Sequence, residues 1–360
     1  MSYQLQVNAE PSKILYIDSR DANKYLAQKE VLIPDQNGVN QTFILDLTSY
    51  FQYQLIEKIE VPLNQRALIS LNSATIPYSF YNIRKGINDI LRMETTTIAT
   101  PAVDPIVDFM TIPEGNYTAY TLATFIENFV KNNMTNAGMP FTFKVDYNTD
   151  LGKYEYKMSK TTTADAGNKI TLTFDFASSS TSPHIEMGFL KGISQDIVLP
   201  ASTAGTSSNV QVDSVNVVDL NGSIHGVYIR TNLVSNGTLD SQSGTFSNIL
   251  SRIPLKVNAG GIIFAEPNNA THKSVVDLRS IDILTIRLTD ERNRLIDLNG
   301  LHYQLAIQID FIYSERKRPV PMGSLTKNNF GHSFHHEDIK LKNELEDRRT
   351  KIKNDDKKKN

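Results

Sequence analysis

The sequence predicts a mainly β protein: a jelly-roll-like antiparallel β-sandwich of one or two units, with one short helix, an extended N-terminal arm and a charged C-terminal tail. Three observations predict it. Apolar residues alternate with polar ones in many short runs separated by Gly, Asn, Asp and Pro turns, the period of a half-buried strand. Only one segment has helical spacing, so the strand–helix alternation that builds a parallel sheet is missing. The chain has 360 residues, 40% of them hydrophobic, enough for one large or two medium domains with a real core.

The elements follow in chain order. Residues 1–42 read as an arm, sparse in apolar residues apart from the strand-like KILYID (Lys13 to Asp18), with Pro34, Asn37 and Gly38 as turn formers. Such a segment cannot satisfy its own backbone and must lie on its own body or on a neighbour. A β-sandwich body is expected over 43–318. Phe43, Leu45 and Leu47 alternate with Ile44, Asp46 and Thr48, and LIEKIEVPL and ALISLNSATIPYSFYNI follow before a turn-prone stretch from Asn82 to Asn88. In GNYTAYTLATFIENFVKNN, Leu122, Phe125, Ile126, Phe129 and Val130 fall on one helical stripe. The spacing predicts a helix from Tyr120 to Lys131, with Thr118 or Thr121 as N-cap and Asn132 with Asn133 at its end.

Strand patterns then resume. FTFKVDY, KYEYKMS and KITLTFDF alternate, and NTDLG between the first two reads as a hairpin loop. ASTAGTSSN (Ala201 to Asn209) has the composition of a flexible loop, at which the body is expected to divide if it holds two units. VDSVNVVDL, GVYIRTNL, LSRIPLKV, GGIIFAEP, IDILTIRLTD and LHYQLAIQIDFIY are further strands, and ERNRLIDLNG is a turn with a short buried Leu295–Ile296. Residues 319–360 are dense in charge of both signs and read as a solvated or partner-ordered tail.

Composition excludes several functions. With 0 cysteines there are no disulfides, thiolate nucleophiles, zinc fingers or iron–sulfur clusters. A formal net charge of −2 argues against nucleic-acid binding by the body. No run approaches the roughly 18 apolar residues of a membrane span. The start MSYQLQVNAEPSK lacks the basic and apolar regions of a signal peptide, so synthesis in the cytosol is expected. The Asn-x-Ser/Thr matches at Asn40, Asn116, Asn133, Asn221, Asn236 and Asn269 then read as chance.

No catalytic signature is present, so no catalytic, cofactor-binding or metal-ligating residue is assigned and no cofactor is expected. His332, His335, His336, Glu337 and Asp338 form the most metal-like grouping, but without standard spacing or a scaffold they read as solvated tail. Asp290, Glu291 and Asp297 among Arg287, Arg292 and Arg294 could make a glycosidase-like acid pair, and the alternating signs favour a salt-bridged loop. Asp18, Asp21 and Asn23 miss the EF-hand spacing. Lys357 to Lys359, with Arg348 and Arg349, are diluted by Asp355 and Asp356 as a nucleic-acid contact. The aromatic clusters Tyr50, Phe51, Tyr53 and Tyr78, Phe80, Tyr81 read as sandwich core and subunit interface before glycan or base stacking.

Several segments between Phe43 and Tyr313 resemble minor capsid and vertex (penton-like) proteins of jelly-roll type from large double-stranded DNA viruses, virophages and polinton-like viruses. They are SLNSATIPYSFYNI, IPEGNYTAYTLATFIENF, IEMGFLKG, VYIRTNL, SNILSRIPLKVNAGGIIFAEP and, most specifically, IDILTIRLTDERNRLIDLNGLHYQLAIQIDFIY. The resemblance implies a non-enzymatic virion protein, a minor capsid or penton-like part of an icosahedral shell. It would assemble in the host cytoplasm with other capsid proteins and with copies of itself, as a pentamer or trimer. It implies no nucleic-acid partner, and contact with an internal membrane has no support. The alternatives are a receptor- or glycan-binding spike module of the virion and a sandwich-fold glycoside hydrolase.

Overall fold

The computed structural model describes residues 12–34, 40–98, 104–135, 141–160, 168–201, 208–220, 224–234, 238–240, 245–267 and 272–313. Among these residues the protein is mainly β, as expected, with 21 strands and one α-helix.

The first leg of the chain holds β1 (Lys13–Asp18), β2 (Lys24–Tyr25), β3 (Gln28–Pro34), β4 (Asn40–Asp46), β5 (Tyr50–Glu60) and β6 (Gln65–Pro77). A middle stretch holds β7 (Ile90–Ile98), β8 (Ile106–Thr111), α1 (Ala119–Asn133), β9 (Phe141–Asn148), β10 (Lys153–Lys160), β11 (Lys169–Asp175), β12 (Gln195–Leu199) and β13 (Asn209–Asp213). The last leg holds β14 (Gly226–Thr231), β15 (Thr238–Asp240), β16 (Thr245–Ser247), β17 (Ile249–Pro254), β18 (Ile262–Ala265), β19 (Ser274–Val276), β20 (Ser280–Thr289) and β21 (Gln304–Tyr313).

The first and last legs build one sandwich. One sheet runs β1-β21-β6-β18, with β19 also paired to β6, and the other runs β17-β14-β20-β5-β2. Their inner faces share one core: Ala67, Ile69 and Leu71 of β6 and Leu305, Ile307 and Ile309 of β21 from one sheet, Val227, Ile229, Leu284, Ile286 and Leu288 from the other. Period-2 burial on both sheets is what makes this packing available. The register of β20 on β5 slips between Ile281 and Ile283. Leu55 to Lys58 of β5 therefore bulge opposite Asp282 alone, and the inward phase of β20 changes from Ile281 to Leu284.

The middle stretch builds a second core. Sheet β12-β11-β7-β8 and sheet β13-β10-β9 enclose Leu91, Met93, Phe143, Tyr154, Tyr156 and Phe174. Tyr156 meets Phe174 with ring centroids 5.4 Å apart and Phe189 at 5.3 Å, so aromatic rings fill the space between the sheets. The helix lies where its spacing placed it, with Ala119, Leu122, Ala123, Ile126 and Val130 buried and Phe125 and Phe129 half-buried. Thr118 is the N-cap, its hydroxyl accepting from Thr121 N, while the Thr121 hydroxyl accepts from Thr118 N. Tyr154 Oη donates to Ala119 O at 2.9 Å and Glu127 accepts from Val145 N at 3.2 Å, fixing the helix to the sheet beneath it.

The two cores divide the chain at different points from the loop at 201–209. That loop joins β12 to β13, both in the second unit, and residues 202–207 lie outside the described ones. The crossings fall instead between Phe80 and Ile83 and between Leu220 and Ile224, because those pairs belong to different cores. The second sandwich is thus an insertion in the first. VDSVNVVDL ends as a strand at Asp213; its remainder is irregular because Ser214 N, Asn216 N and Val218 N bond to Tyr154 O, Gly188 O and Gly152 O in turn.

The segment expected as an arm carries β1, β2 and β3. Lys13 to Asp18 pair with Ile309 to Gln304 of β21, and Ile17 is core. Residues 1–11 and the tail at 319–360 lie outside the described residues.

The turn Pro183 to Phe189 is held by Phe189 N bonding to His184 O and by Asn216 N bonding to Gly188 O. Gly188 sits at φ +75, and a Cβ there would meet Asn216 O at 2.6 Å and Ser214 Oγ at 2.7 Å. Gly188→Ala should destabilise the protein by about 2 kcal/mol or more, from the left-handed backbone and the clash together, measured as a lowered urea midpoint.

Candidate functional site: a charged turn, a polar joint and exposed apolar strands

The acid cluster between β20 and β21 is closed. Asp290 is fully buried and its Oδ1 accepts from Arg292 N and Arg294 N, both at 2.9 Å. Its Oδ2 accepts from Arg294 Nε at 2.7 Å and from the Arg84 guanidinium at 3.3 Å. Asn293, at φ 61, supplies the tight reversal that lets one carboxylate take both amides. Glu291 accepts from His225 N at 2.6 Å, and Asp297 pairs with Lys29 and accepts from Asn299 N. Arg287 lies over the Tyr50 ring at 5.9 Å, and Arg292 is exposed. The three carboxylates have separate partners, and the one fully buried among them, Asp290, is closed by two arginines.

The other sequence candidates disperse. The Arg20 side chain, with Gln304 and Arg20 N, holds the Asp18 carboxyl well below the usual carboxylate range. Asn23 accepts from Gln54 N, so it does not converge with Asp18. Among the described residues no group of three or more His, Asp or Glu side chains is placed to share a metal ion. His332, His335, His336, Lys357 and Arg348 lie outside the described residues. Phe51, Tyr78 and Phe80 are core, with Tyr78 stacked on Phe80 at 4.3 Å.

Periodicity gave no sign of the buried polar joint where the chain crosses between the cores. Asn82 N donates to Asn116 Oδ1, Asn82 Oδ1 accepts from Tyr117 N, and Asn82 Nδ2 donates to Tyr117 O and Leu220 O, both at 2.7 Å. One side chain thereby ties the outgoing crossing to the lead-in of α1 and to the returning crossing. Asn88 Nδ2 donates to Asn82 O and, at 2.6 Å, to Glu186 Oε1, while Asn88 Oδ1 accepts from Arg84 N. Arg84 reaches Asp290 of the outer sandwich. On the return, His225 Nε2 lies 3.4 Å from Asp219 and its Nδ1 3.9 Å from Glu291.

Among the described residues, several apolar strands at the surface have no cover. β3 pairs with β4 alone among them, from Gln28 opposite Asp46 to Pro34 opposite Asn40. Every residue of β4 is exposed, and Leu32, Phe43, Ile44 and Leu45 are between 42% and 63% exposed. Phe43 was expected to open the body; it stands on this ribbon instead, because among the described residues β4 has no strand but β3 beside it. The ribbon is anchored at its base by Leu26 N to Tyr50 O, Leu47 N to Ala27 O and the Lys29–Asp297 pair. Ile56 stands fully exposed on the β5 bulge. On the outer face of the β1-β21-β6-β18 sheet, Ile14, Tyr16, Ile262 and Phe264 are exposed. A cleft of about 1090 Å³ lies beside α1 and β9, β10 and β13, and two of its lysines, Lys144 and Lys157, are paired with Asp146.

Among solved structures, the chain is similar to the penton protein of mavirus, determined as a selenomethionine-labelled crystal structure. Identity is 12% and the TM-score 0.43, over 84% of this chain and 100% of that one. A likeness that distant carries no argument about role. No protein-family model and no curated protein matches the sequence.

Asp290→Ala would leave Arg84 buried with its main counter-charge gone and two amides unpaired. The expected loss is about 3 to 5 kcal/mol, read as a lowered denaturant midpoint with an unchanged slope. Glu60→Ala, in an exposed pair with Lys58, should stay within about 0.5 kcal/mol of the parent.

Proposed function

We propose that the protein is a non-enzymatic structural component of a virus particle, a minor capsid or penton-like subunit that assembles through contacts with copies of itself and with other capsid proteins. The observation that carries this reading is the β3–β4 ribbon. An isolated two-stranded ribbon is marginal in water, and one with apolar side chains exposed on both of its faces is a surface awaiting a partner. The resemblance of the segments ending in IDILTIRLTDERNRLIDLNGLHYQLAIQIDFIY to capsid components supports the same role. So does the exposed apolar side of the β1-β21-β6-β18 sheet, since antiparallel sheets with one free face usually present polar residues there.

Covering the exposed part of Leu32, Phe43, Ile44 and Leu45 contributes about 2 kcal/mol each at 25 cal/mol per Å². That sum falls within the roughly 4 to 15 kcal/mol that association costs, so the ribbon alone is a marginal contact. A ring in which each subunit contributes at two surfaces adds what one contact lacks. We take a second copy of this chain as the occupant of the ribbon, with residues 1–11 and the charged tail at 319–360 reaching neighbouring capsid proteins.

Phe43→Ser with Leu45→Ser tests this. The parent chain should sediment as a discrete pentamer or trimer at about 10 µM, and the double variant as a monomer with an unchanged melting temperature. A parent that stays monomeric in the presence of the other shell components, or a variant that assembles as the parent does, would count against the proposal. Deleting residues 1–11 should leave the fold intact and reduce incorporation into particles. Deleting 1–42 should cost stability as well, because it removes β1 and the buried Ile17.

A further inference from the structure

Glu186 is a buried carboxyl of the joint whose side chain bonds to an asparagine. It is 2% exposed and lies in the turn between β11 and β12, a part of the inner sandwich. Its Oε1 accepts from Asn88 Nδ2 at 2.6 Å, and Asn88 in turn holds Asn82 O and Arg84 N of the outgoing crossing. The turn carrying Glu186 also binds the returning crossing, Asp219 N donating to Ile185 O at 3.2 Å. The turn that carries Glu186 thus bonds to both places where the chain passes between the sandwiches. We propose that this joint is a proton-set coupling: a neutral Glu186 closes it, and ionisation of Glu186 loosens the link between the inner sandwich and the outer one.

Burial favours the neutral form and is the largest influence on it, while the hydrogen bonds that the Glu186 side chain accepts from Asn88 and from its own backbone N–H favour the ionised one. The charges facing it oppose each other, Asp219 from the returning crossing and Arg84 from the outgoing one. Arg84 is already engaged by Asp290, which it shares with Arg294. One contact further out lie Asp89, His184, His225 and Glu291, and burial holds His184 below its ordinary value. Burial, reinforced by Asp219, pushes Glu186 from its ordinary 4.5 up to about 7. The sign follows: an acid whose folded value is raised favours folding while neutral, fully below its ordinary value, and that stabilisation is lost as pH rises through about 7. The joint is closed in mild acid and slackens above neutrality. The inference rests on the joint alone and stands whether or not the chain builds a shell.

Hydrogen exchange on the full chain between pH 5.5 and 8.5, corrected for intrinsic rates, tests it. Peptides spanning 80–90, 183–190 and 214–226 should lose at least about tenfold more protection across that range than peptides of β9 and β10. Glu186→Gln, neutral at every pH, should abolish the difference. His184→Gln and His225→Gln should keep it, and Asp219→Asn should move its midpoint to lower pH by removing the facing like charge. A flat parent profile, an unchanged slope in Glu186→Gln, or loss of the slope in either histidine variant would overturn the proposal. If Glu186→Gln does not fold, an unmoved midpoint in Asp219→Asn overturns it equally.

Discussion

The chain leaves one hydrophobic core, builds a second and returns, and every buried backbone group at the two crossings must find a partner. A buried amide without one costs about 1 to 3 kcal/mol, more than a made hydrogen bond contributes. Asn82 meets most of this demand at one point, pairing its own amide, its side-chain oxygen and both side-chain hydrogens with groups from two other segments. The other joint residues are arranged around it. Asn88 caps its carbonyl, Arg84 extends the network to Asp290, and Glu186 completes it from the far side. Without these partners the inserted sandwich would be tethered by two unsatisfied strands of coil.

The distribution of polarity separates two kinds of surface. Inside, polar groups are concentrated at the joint and at the turn around Asp290, and the cores are aliphatic on one side and aromatic on the other. Outside, apolar residues gather on the β3–β4 ribbon, the β5 bulge and the outer face of the β1 sheet. Internal polar contacts tie the two sandwiches together, while apolar side chains on the outer strands stay exposed among the described residues.

Much of this was legible in the sequence, and the remainder was not for physical reasons. α1 was read nearly to its ends because its stripe has a period no strand can mimic. β20 and β21 alternate strongly because each has one face in a core. β7 and β8 were missed: the run from Glu94 to Ile98 is threonine-rich, and Thr95 is fully buried where an apolar residue would have signalled the core. Phe43 to Asp46 looked like body because alternation reports a strand, not whether either face is covered. The salt-bridged turn at Asp290 showed itself through alternating charge. The joint did not, since Asn82, Asn88 and Glu186 sit in irregular segments where periodicity says nothing, and only proximity in three dimensions brings them together.

The insertion also orders events in time. Lys13 pairs with Ile309, so the outer sandwich joins the start of the chain to its end. Closing so long a loop is entropically slow, and its edge cannot be filled until the last strand has left the ribosome. The inserted unit has no such wait, because all its strands lie between the two crossings. It can condense while synthesis continues, leaving β1 and β6 unpaired and β5 paired with the short β2 alone for the duration. During that interval the nascent protein is most exposed to aggregation, and a helper that shields strand edges would have its greatest effect there.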